Sequence, residues 1–207
     1  MYLDKNTIEA GIDEAGRGCL AGRVYAAAVI WPKEIPERVD LSIIKDSKKL
    51  SHKKRMLALD IIDTYAIDYA VGFVDEKTID EINILQASYM AMHKALDNLT
   101  IVPENILVDG SYFRPYMTKD SGEFVPHVCF TKGDNKYMSI AAASIVAKEF
   151  RDRYITQLAE SDETILHYGW KNNKSYGTKQ HIEAIKKYGL TKYHRKSFSI
   201  CKDYVHI

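Results

Sequence analysis

Residues 8–31, with the sequence IEAGIDEAGRGCLAGRVYAAAVIW, decide the fold prediction. The apolar runs at 8–14 and 23–31 are typical of β-strands, and the second is almost entirely apolar, which predicts a buried strand. Three glycines lie between the runs: Gly16, Gly18 and Gly22. Because glycine has no side chain, the backbone there can approach another molecule closely. The stretch therefore predicts two strands joined by a loop that can contact a ligand.

Two adjacent acids, Asp13 and Glu14, stand at the end of the first predicted strand. Neighbouring carboxylates repel each other, and holding them together is costly unless a cation lies between them. The pair therefore indicates a metal site.

The rest of the chain alternates helix and strand patterns. Predicted helices begin at Ser51, at the capping box 78–81, near Tyr137 and near Thr178, and predicted strands cover 69–74, 105–108 and 125–131. The second helix carries one apolar stripe: Ile82, Leu85, Tyr89, Met92, Leu96 and Leu99. Adjacent strands followed by helical crossovers predict an α/β fold with a mixed sheet flanked by helices. We expect residues 1–160 to form the main domain and 161–207 to form a small helical extension of it.

Composition narrows the class of protein. No apolar run approaches the roughly 18 residues of a membrane span. The three cysteines, Cys19, Cys129 and Cys201, are odd in number and lack metal-ligand spacing. These features predict a reduced, cytoplasmic protein without disulfides or membrane contact.

The net charge of +1 hides an asymmetry along the chain. Residues 171–196 contain eight basic residues and a single acid, Glu183, so this segment carries +7 and the remainder −6. A basic tail beside an acidic body suits a polyanionic ligand that is held at one end and processed by carboxylates at the other. The alternative is an ordinary solvated face.

Three acids are expected to share one edge of the sheet. Asp13 and Asp109 each close an apolar strand, and the carboxyl ends of parallel strands meet at the same edge. Asp134 lies in the turn before the helix that begins near Tyr137, and that helix can reach the same edge. Glu14 joins them only if the strand breaks at Asp13, because consecutive strand residues face opposite ways. The alternative is that these acids are separate carboxylates at loop ends.

Four clustered carboxylates would favour Mg²⁺ or Mn²⁺, since the candidate ligands are all oxygens and no His or Cys stands at ligand spacing. Two such ions can activate a water and stabilise the leaving oxygen in phosphodiester hydrolysis.

Six stretches together resemble the ribonuclease HII (type 2 ribonuclease H) family. They are GIDEAGRGCLAG (11–22), DSKKLS (46–51), INILQAS (82–88), VDG (108–110), KGDNKYMSIAAASIVAKEFRD (132–152) and SYGTKQHIEAIKKYG (175–189). They occur in the order of that family and span residues 11–189.

The resemblance implies an RNase H-like fold with a five-stranded mixed sheet, in which 1–160 is the catalytic domain and 161–207 a basic substrate-binding extension. It also implies endonucleolytic cleavage of RNA paired with DNA, and nicking on the 5′ side of ribonucleotides embedded in duplex DNA. The family's four catalytic, metal-binding acids correspond to Asp13, Glu14, Asp109 and Asp134. Such an enzyme would use two Mg²⁺ or Mn²⁺ ions and would leave 5′-phosphates.

The resemblance also implies which residues bind the substrate. Its Gly-Arg-Gly motif, whose backbone contacts the ribose 2′-hydroxyl, corresponds to Gly16, Arg17 and Gly18, and its junction-sensing tyrosine to Tyr176. Ser47, Lys48 and Lys49 could hold backbone phosphates, although a solvated loop explains them equally well. Without the resemblance, Tyr176 would be taken for a packing residue.

Two features depart from the family pattern. Ser175 stands where the family usually has glycine, and residues 113–125 are longer than expected and are predicted to lengthen a surface loop.

Two other functions are compatible with the fold: a non-catalytic RNA–DNA hybrid-binding module and another RNase H-like nuclease such as a junction resolvase. The expected partners are RNA–DNA hybrids and DNA containing ribonucleotides, bound by a monomer that takes part in replication and ribonucleotide excision repair. Residues 199–207 contain no convincing sliding-clamp-binding peptide.

Overall fold

The computed structural model describes residues 2–44 and 50–205. The strands are β1 Glu9–Ala15, β2 Val24–Ile30, β3 Asp68–Val74, β4 Asn105–Asp109, β5 Tyr116–Met117, β6 Phe124–Val125 and β7 His127–Phe130. Five of them form one sheet in the order β3-β2-β1-β4-β7, and β5 pairs with β6 in a separate hairpin. The β3-β2-β1 pairings are antiparallel, whereas β1-β4 and β4-β7 are parallel. The predicted mixed five-stranded sheet is confirmed.

Helices cover both faces of the sheet. They are α1 His52–Tyr65, α2 Glu76–Asp97, α3 Met138–Ser161, α4 Trp170–Asn173 and α5 Lys179–Tyr188. One core cluster joins α2 to the sheet, and a second joins α1 and α3 to the opposite face. The α/β class is therefore confirmed. Within the described ranges, no helix combines the length and the apolar character needed to cross a bilayer.

The middle of the sheet is built from small residues, which lets the helices pack closely. All seven residues of β2 are buried, and all except Tyr25 belong alternately to the two core clusters. On β1, a Cβ atom added to Gly11 would lie 2.2 Å from the carbonyl carbon of Ser139 and 2.3 Å from the nitrogen of Ile140. Glycine at this position therefore allows β1 and α3 to make backbone contact, which fixes α3 beside the end of the strand.

The predicted start of α1 is confirmed, and the predicted start of α2 is wrong. Ser51 caps α1 by accepting a hydrogen bond from the Lys54 backbone nitrogen. Helix α2 begins three residues before the predicted capping box, because the Asp75 carboxylate already accepts from the Thr78 nitrogen at 2.9 Å. The Asp80 side chain is used elsewhere: it accepts hydrogen bonds from the backbone at 196 and 197.

The predicted stripe on α2 is interrupted at Asn83. This residue has φ +66°, and its side-chain oxygen accepts hydrogen bonds from the nitrogens of Leu85 and Gln86, so it restarts the helix. The side chain thus acts as an N-cap for the second part of the helix, a role that asparagine favours. The helix after the kink turns Leu85 outward, where it is 41% exposed, while Tyr89, Met92 and Leu96 remain in the core.

The stretch 113–125 is more than a surface loop. Phe113, Tyr116 and Val125 are buried and belong to the core cluster beneath α2. Exposed residues alternate with these buried ones and fill most of the β5–β6 turn, so the surface-loop prediction is wrong for the three anchoring residues. The final strand, β7, is shorter than predicted because β6 takes the first residue of the predicted range and Pro126 separates the two.

The region after α3 forms a third core cluster. Trp170, Ile165 and Ile185 pack there with Ile155 of α3 and with Leu20 from the loop after β1. Helix α5 begins after its cap Thr178 and ends before Gly189, as predicted. The second half of the glycine loop, residues 19–21, is therefore buried between the main sheet and the C-terminal helices.

Candidate active site at the ends of β1 and β4

Three of the predicted acids lie at one edge of the sheet. Ile12 on β1 is paired in parallel with Val108 on β4, so Asp13 and Asp109 follow side by side. The backbone nitrogen of Gly133 donates to the Asp109 carboxylate at 2.7 Å, which ties the short 3₁₀ helix containing Asp134 to the same edge. The geometry assumed from the sequence, parallel neighbours with a helix start beside them, is the observed one.

The break in β1 at Asp13, which the sequence analysis set as the condition for Glu14 to join the site, does not occur. The strand continues to Ala15, and both Asp13 and Glu14 are paired with β2. Asp13 lies towards α3, where it accepts a hydrogen bond from Ser144, and alternation directs Glu14 to the other face. Glu14 forms an ion pair of 3.2 Å with Arg17. Even so, the Glu14 charge acts on Asp13, because both residues stand at the strand end.

Both burial and neighbouring charges oppose the ionisation of Asp13. Burial raises the pKa of its carboxyl well above the usual range, and the charges of Glu14 and Asp109 raise that pKa further. Hydrogen bonds from the Glu14 nitrogen and from Ser144 only partly offset these effects. A cation placed among the three carboxylates would relieve both the desolvation and the repulsion.

The chemistry of this donor set fits a hard divalent cation, but the donors are not yet arranged around one point. Among residues 2–44 and 50–205, no three His, Cys, Asp or Glu side chains are positioned to hold an ion as they stand. Glu14 faces Arg17, and the Asp134 carboxylate accepts a hydrogen bond from the Asn135 side chain at 2.9 Å. Both side chains would have to rotate towards Asp13 and Asp109 to complete a site.

The Gly-Arg-Gly loop follows these acids directly. Gly16 is buried with φ +94°, and a Cβ there would lie 3.2 Å from Nε of Arg151, so this turn requires glycine. Arg17 and Gly18 are exposed, and a Cβ at Gly18 would meet no atom within 4 Å. The loop therefore presents an open stretch of backbone next to the carboxylates.

A buried arginine, which sequence reasoning missed, fixes this loop from behind. Arg195 had been counted in the basic tail, yet it is fully buried. Its guanidinium donates to the carbonyls of Arg17 and Gly22, at 2.9 Å each. The charge count could not reveal this role, because the pattern of surrounding lysines is that of a solvated segment.

Tyr176 stands against the other side of the loop. It forms a β-bridge with Cys19, and its ring is 37% exposed. The cationic groups of Lys148 and Arg151 lie 5.3 and 5.4 Å from the ring centroid. Burial raises the pKa of the phenol to about 12, so the hydroxyl stays protonated. The tyrosine and the Gly-Arg-Gly loop therefore form one surface beside the acids.

Comparisons with known proteins identify the family of the chain. A family model described as Ribonuclease HII matches residues 10–201. The ribonuclease HII of Christiangramia forsetii is 51% identical over 100% of this chain and 98% of the relative, and that of Bacteroides thetaiotaomicron is 48% identical over 98% and 94%. The chain belongs to the ribonuclease HII family.

Solved structures show the same relationship. The ribonuclease H2 of Pyrococcus horikoshii superposes with a TM-score of 0.73 at 29% identity, covering 95% of this chain and 96% of the other. A PCNA:RNase HII complex from Archaeoglobus fulgidus gives 0.72 at 26% identity, covering 93% and 95%. The protein is thus a ribonuclease H, an endoribonuclease acting on RNA–DNA hybrids. This assignment replaces the hybrid-binding module and the junction resolvase as alternatives.

The departure from the family pattern at Ser175 has a structural explanation. Ser175 has φ +59°, a conformation in which glycine is unstrained. Its buried hydroxyl donates to the Ala21 carbonyl at 2.8 Å and accepts from Arg151 at 2.6 Å. These bonds offset the strain and attach the tyrosine segment to the glycine loop.

Two further groups complete the outcome of the sequence analysis. Ser47, Lys48 and Lys49 lie outside the described residues. The Asp152 carboxylate, further along α3, pairs with Lys148 at 2.9 Å and with Arg151 at 3.2 Å.

Proposed function

We propose that this ribonuclease HII nicks duplex DNA on the 5′ side of an embedded ribonucleotide, as well as cleaving longer hybrids, and leaves a 3′-hydroxyl and a 5′-phosphate. The observation that carries this proposal is the β-bridge between Cys19 and Tyr176, which sets an aromatic ring against the Gly-Arg-Gly backbone. A site with both the ring and the glycine backbone can distinguish ribose from deoxyribose at two consecutive nucleotides.

The reading of the ribose depends on close backbone approach. The 2′-hydroxyl is the group that distinguishes a ribonucleotide from a deoxyribonucleotide, and it can both donate and accept hydrogen bonds. Gly16, Arg17 and Gly18 offer backbone groups to it, and the space beside Gly18 is open. The ring of Tyr176 would stack on the next deoxyribose, where an additional hydroxyl would be crowded.

Four acids carry the proposed chemistry. Asp13 and Asp109 would hold two Mg²⁺ or Mn²⁺ ions at the scissile phosphate, and Glu14 and Asp134 would rotate to complete their coordination and to position water. Bound ions of this kind activate a water and stabilise the leaving oxygen. Support comes from the raised pKa of Asp13, whose burial and acidic neighbours oppose its charge in the absence of a cation.

The C-terminal region, 161–207, is proposed to hold the backbone of the substrate. Its exposed lysines supply positive charge, and Ser47, Lys48 and Lys49 are proposed as further phosphate contacts. We propose a monomer that works in ribonucleotide excision repair and replication in a reducing compartment such as the cytoplasm, since its cysteines are unpaired thiols. A sliding clamp is a further candidate partner, because an archaeal ribonuclease HII forms a complex with PCNA, although residues 199–207 contain no convincing clamp-binding peptide.

The test is a DNA duplex that contains one ribonucleotide, incubated with and without Mg²⁺. We expect a nick on its 5′ side only with Mg²⁺, and none in the all-DNA duplex. Asp109→Asn should abolish nicking, whereas Asp120→Asn, on the exposed β5–β6 tip, should not. Nicking without divalent ions, or full activity of Asp109→Asn, would overturn the proposal.

A further inference from the structure

Two buried histidines connect the C-terminal loop to Tyr176. His181 on α5 is fully buried, and His194 is 1% exposed. Their Nε2 atoms are 3.0 Å apart. Nδ1 of His181 is 3.0 Å from the Tyr176 carbonyl oxygen, and Nδ1 of His194 is 2.9 Å from the backbone nitrogen of Thr191. The chain of contacts therefore runs from 191 through both rings to 176.

Fixed donors at both ends determine where the protons are. The Thr191 N–H can only donate, so Nδ1 of His194 is unprotonated and its proton is on Nε2. The Trp170 indole N–H also can only donate, and it points at Nε2 of His181 at 3.0 Å. His181 therefore carries its proton on Nδ1, from which it donates to the Tyr176 carbonyl. In these tautomers the His194 Nε2–H also points at His181 Nε2, so the single lone pair of that nitrogen is shared between two donors, the Trp170 indole N–H and the His194 Nε2–H, each at 3.0 Å.

This chain of hydrogen bonds from Thr191 through His194 and His181 to Tyr176, here called the relay, keeps its donor and acceptor roles because both rings are neutral. Burial lowers the pKa of His181, and burial together with the neighbouring His181 lowers the pKa of His194 to about 3. At physiological pH neither ring gains a second proton, so the direction of every hydrogen bond is retained.

The same short segment also holds the other substrate-reading element. Arg195, next to His194, binds the carbonyls of Arg17 and Gly22, and His194 itself bridges to Ala21. Arg195 thus holds the Gly-Arg-Gly loop, and the preceding residue, His194, holds the backbone of Tyr176 through His181. The distance between the two elements is fixed at this point.

We propose that His181 and His194 are positioning residues that set the place of Tyr176 relative to the Gly-Arg-Gly loop, and that they thereby determine the preference for an RNA–DNA junction over an uninterrupted hybrid. This inference rests on the proposed function of Tyr176. It concerns residues that touch neither the substrate nor the acids.

The test compares two substitutions that separate hydrogen bonding from packing. In His181→Asn, the side-chain amide can still donate to the Tyr176 carbonyl. In His181→Gln, the longer side chain can meet Trp170 and His194, but the donor at the Nδ1 position is lost. The readout is kcat/KM on a duplex with one ribonucleotide, divided by kcat/KM on a continuous hybrid.

We expect His181→Gln to lower this ratio about tenfold, the effect of losing roughly one hydrogen bond to a buried group, and His181→Asn to retain most of it. His93→Gln is the matched control, because His93 contacts the carbonyl of Arg114 rather than Tyr176. If His181→Gln retains the ratio of the two kcat/KM values as well as His181→Asn does, His181 serves only in packing and the proposal is wrong.

Two measurements keep this outcome separate from the role of Tyr176. If Tyr176→Ala leaves the ratio unchanged, the proposed function of Tyr176 fails whatever the histidine variants do. In the folded wild type, imidazole ¹⁵N shifts should show the Nδ1–H form of His181 and the Nε2–H form of His194. The opposite tautomer at His181 would overturn the relay even if a variant failed to fold.

Discussion

Asp13 combines two properties that oppose each other: it is buried, and it must carry a charge to bind a cation. Ser144 and the Glu14 nitrogen supply hydrogen bonds, but Glu14 and Asp109 add negative charge on the same edge. The folded protein therefore retains an unfavourable interaction that is useful only when a metal is bound.

Asp13→Asn should separate the two properties. Without divalent ions, we expect the variant to gain about 1 kcal/mol, or roughly 2–4 °C in melting temperature, because a repelled buried charge is removed. Its cleavage of hybrids should fall at least about 100-fold, since the variant lacks a carboxylate that we propose as a metal ligand. Thermal denaturation and a nicking assay measure the two effects. A lower melting temperature together with full activity would contradict this account.

Gly18→Ala tests the reading of the ribose without disturbing the fold. The added methyl group meets no atom within 4 Å, so the melting temperature should not change. It would, however, stand where the sugar approaches, and we expect KM for a single ribonucleotide to rise about tenfold. Gly16→Ala is the contrast, because φ +94° and contact with Arg151 predict that it also loses stability. An unchanged KM for Gly18→Ala would place the ribose elsewhere.

Among the elements, the contact between β1 and α3 positions the active site. Gly11 brings the backbone of α3 against the strand two residues before Asp13, and the hydrogen bond from Ser144 on the same helix then reaches that carboxylate. Small side chains on both elements make this contact possible.

Gly11→Ala should be among the more damaging single-methyl changes. The new Cβ would lie 2.2 Å from backbone of α3, and neither element can move without breaking the sheet or the helix. We expect a loss of about 3 kcal/mol in the free energy of unfolding, measured by urea denaturation. Gly18→Ala serves as the control, because it adds the same methyl group at a position where that group meets no atom within 4 Å. A loss below about 1 kcal/mol would show that α3 is not held by this contact.

Elements with a strong local signal were predictable from the sequence, whereas those set by a distant partner were not. Ser51, Thr178 and Gly189 mark helix ends by local hydrogen bonding, and the structure agrees. Asn83 and Asp75 change the course of α2 through hydrogen bonds that compete with the predicted capping box. The anchored ends of the stretch 113–125 depend on burial beneath α2, which periodicity does not report.

At the scale of the whole molecule, the folded protein buries neutral histidines beside the third core cluster. In the unfolded chain these histidines would be protonated below their ordinary pKa. The folded pKa of His194, about 3, lies below the unfolded value of about 6.5, so the unfolded state binds more protons between these values. The stability that His194 contributes is complete above about pH 6.5 and is lost as the pH falls towards 3.

Wild type should therefore lose up to about 1.4 kcal/mol per pH unit from this group below pH 6.5. His194→Gln, which has no titrating ring, should show a shallower decline over the same range. Urea denaturation at a series of pH values for both proteins provides the comparison. Parallel curves would mean that His194 is protonated in the folded state or contributes nothing.

The placement of the candidate acids at one sheet edge could be predicted from the sequence, but the residues that fix the neighbouring loop could not. Strand ends and glycines identified Asp13 and Asp109, because sheet topology brings such positions together. Arg195 and His194 were hidden in a basic run, since nothing in the local sequence distinguishes a buried cation from a solvated one. Only the packing of the C-terminal helices on α3 shows that they lie inside.

The position of β1 in the sheet has a consequence for how the enzyme would fail. As the middle strand, it has pairing partners on both sides and helices on both faces, so its amides should exchange with solvent only on global opening. Tyr176 is held instead by the smaller C-terminal cluster. Under mild denaturing stress, discrimination between sugars should weaken while the carboxylates remain in place, giving a nuclease that still cuts but chooses its substrates poorly.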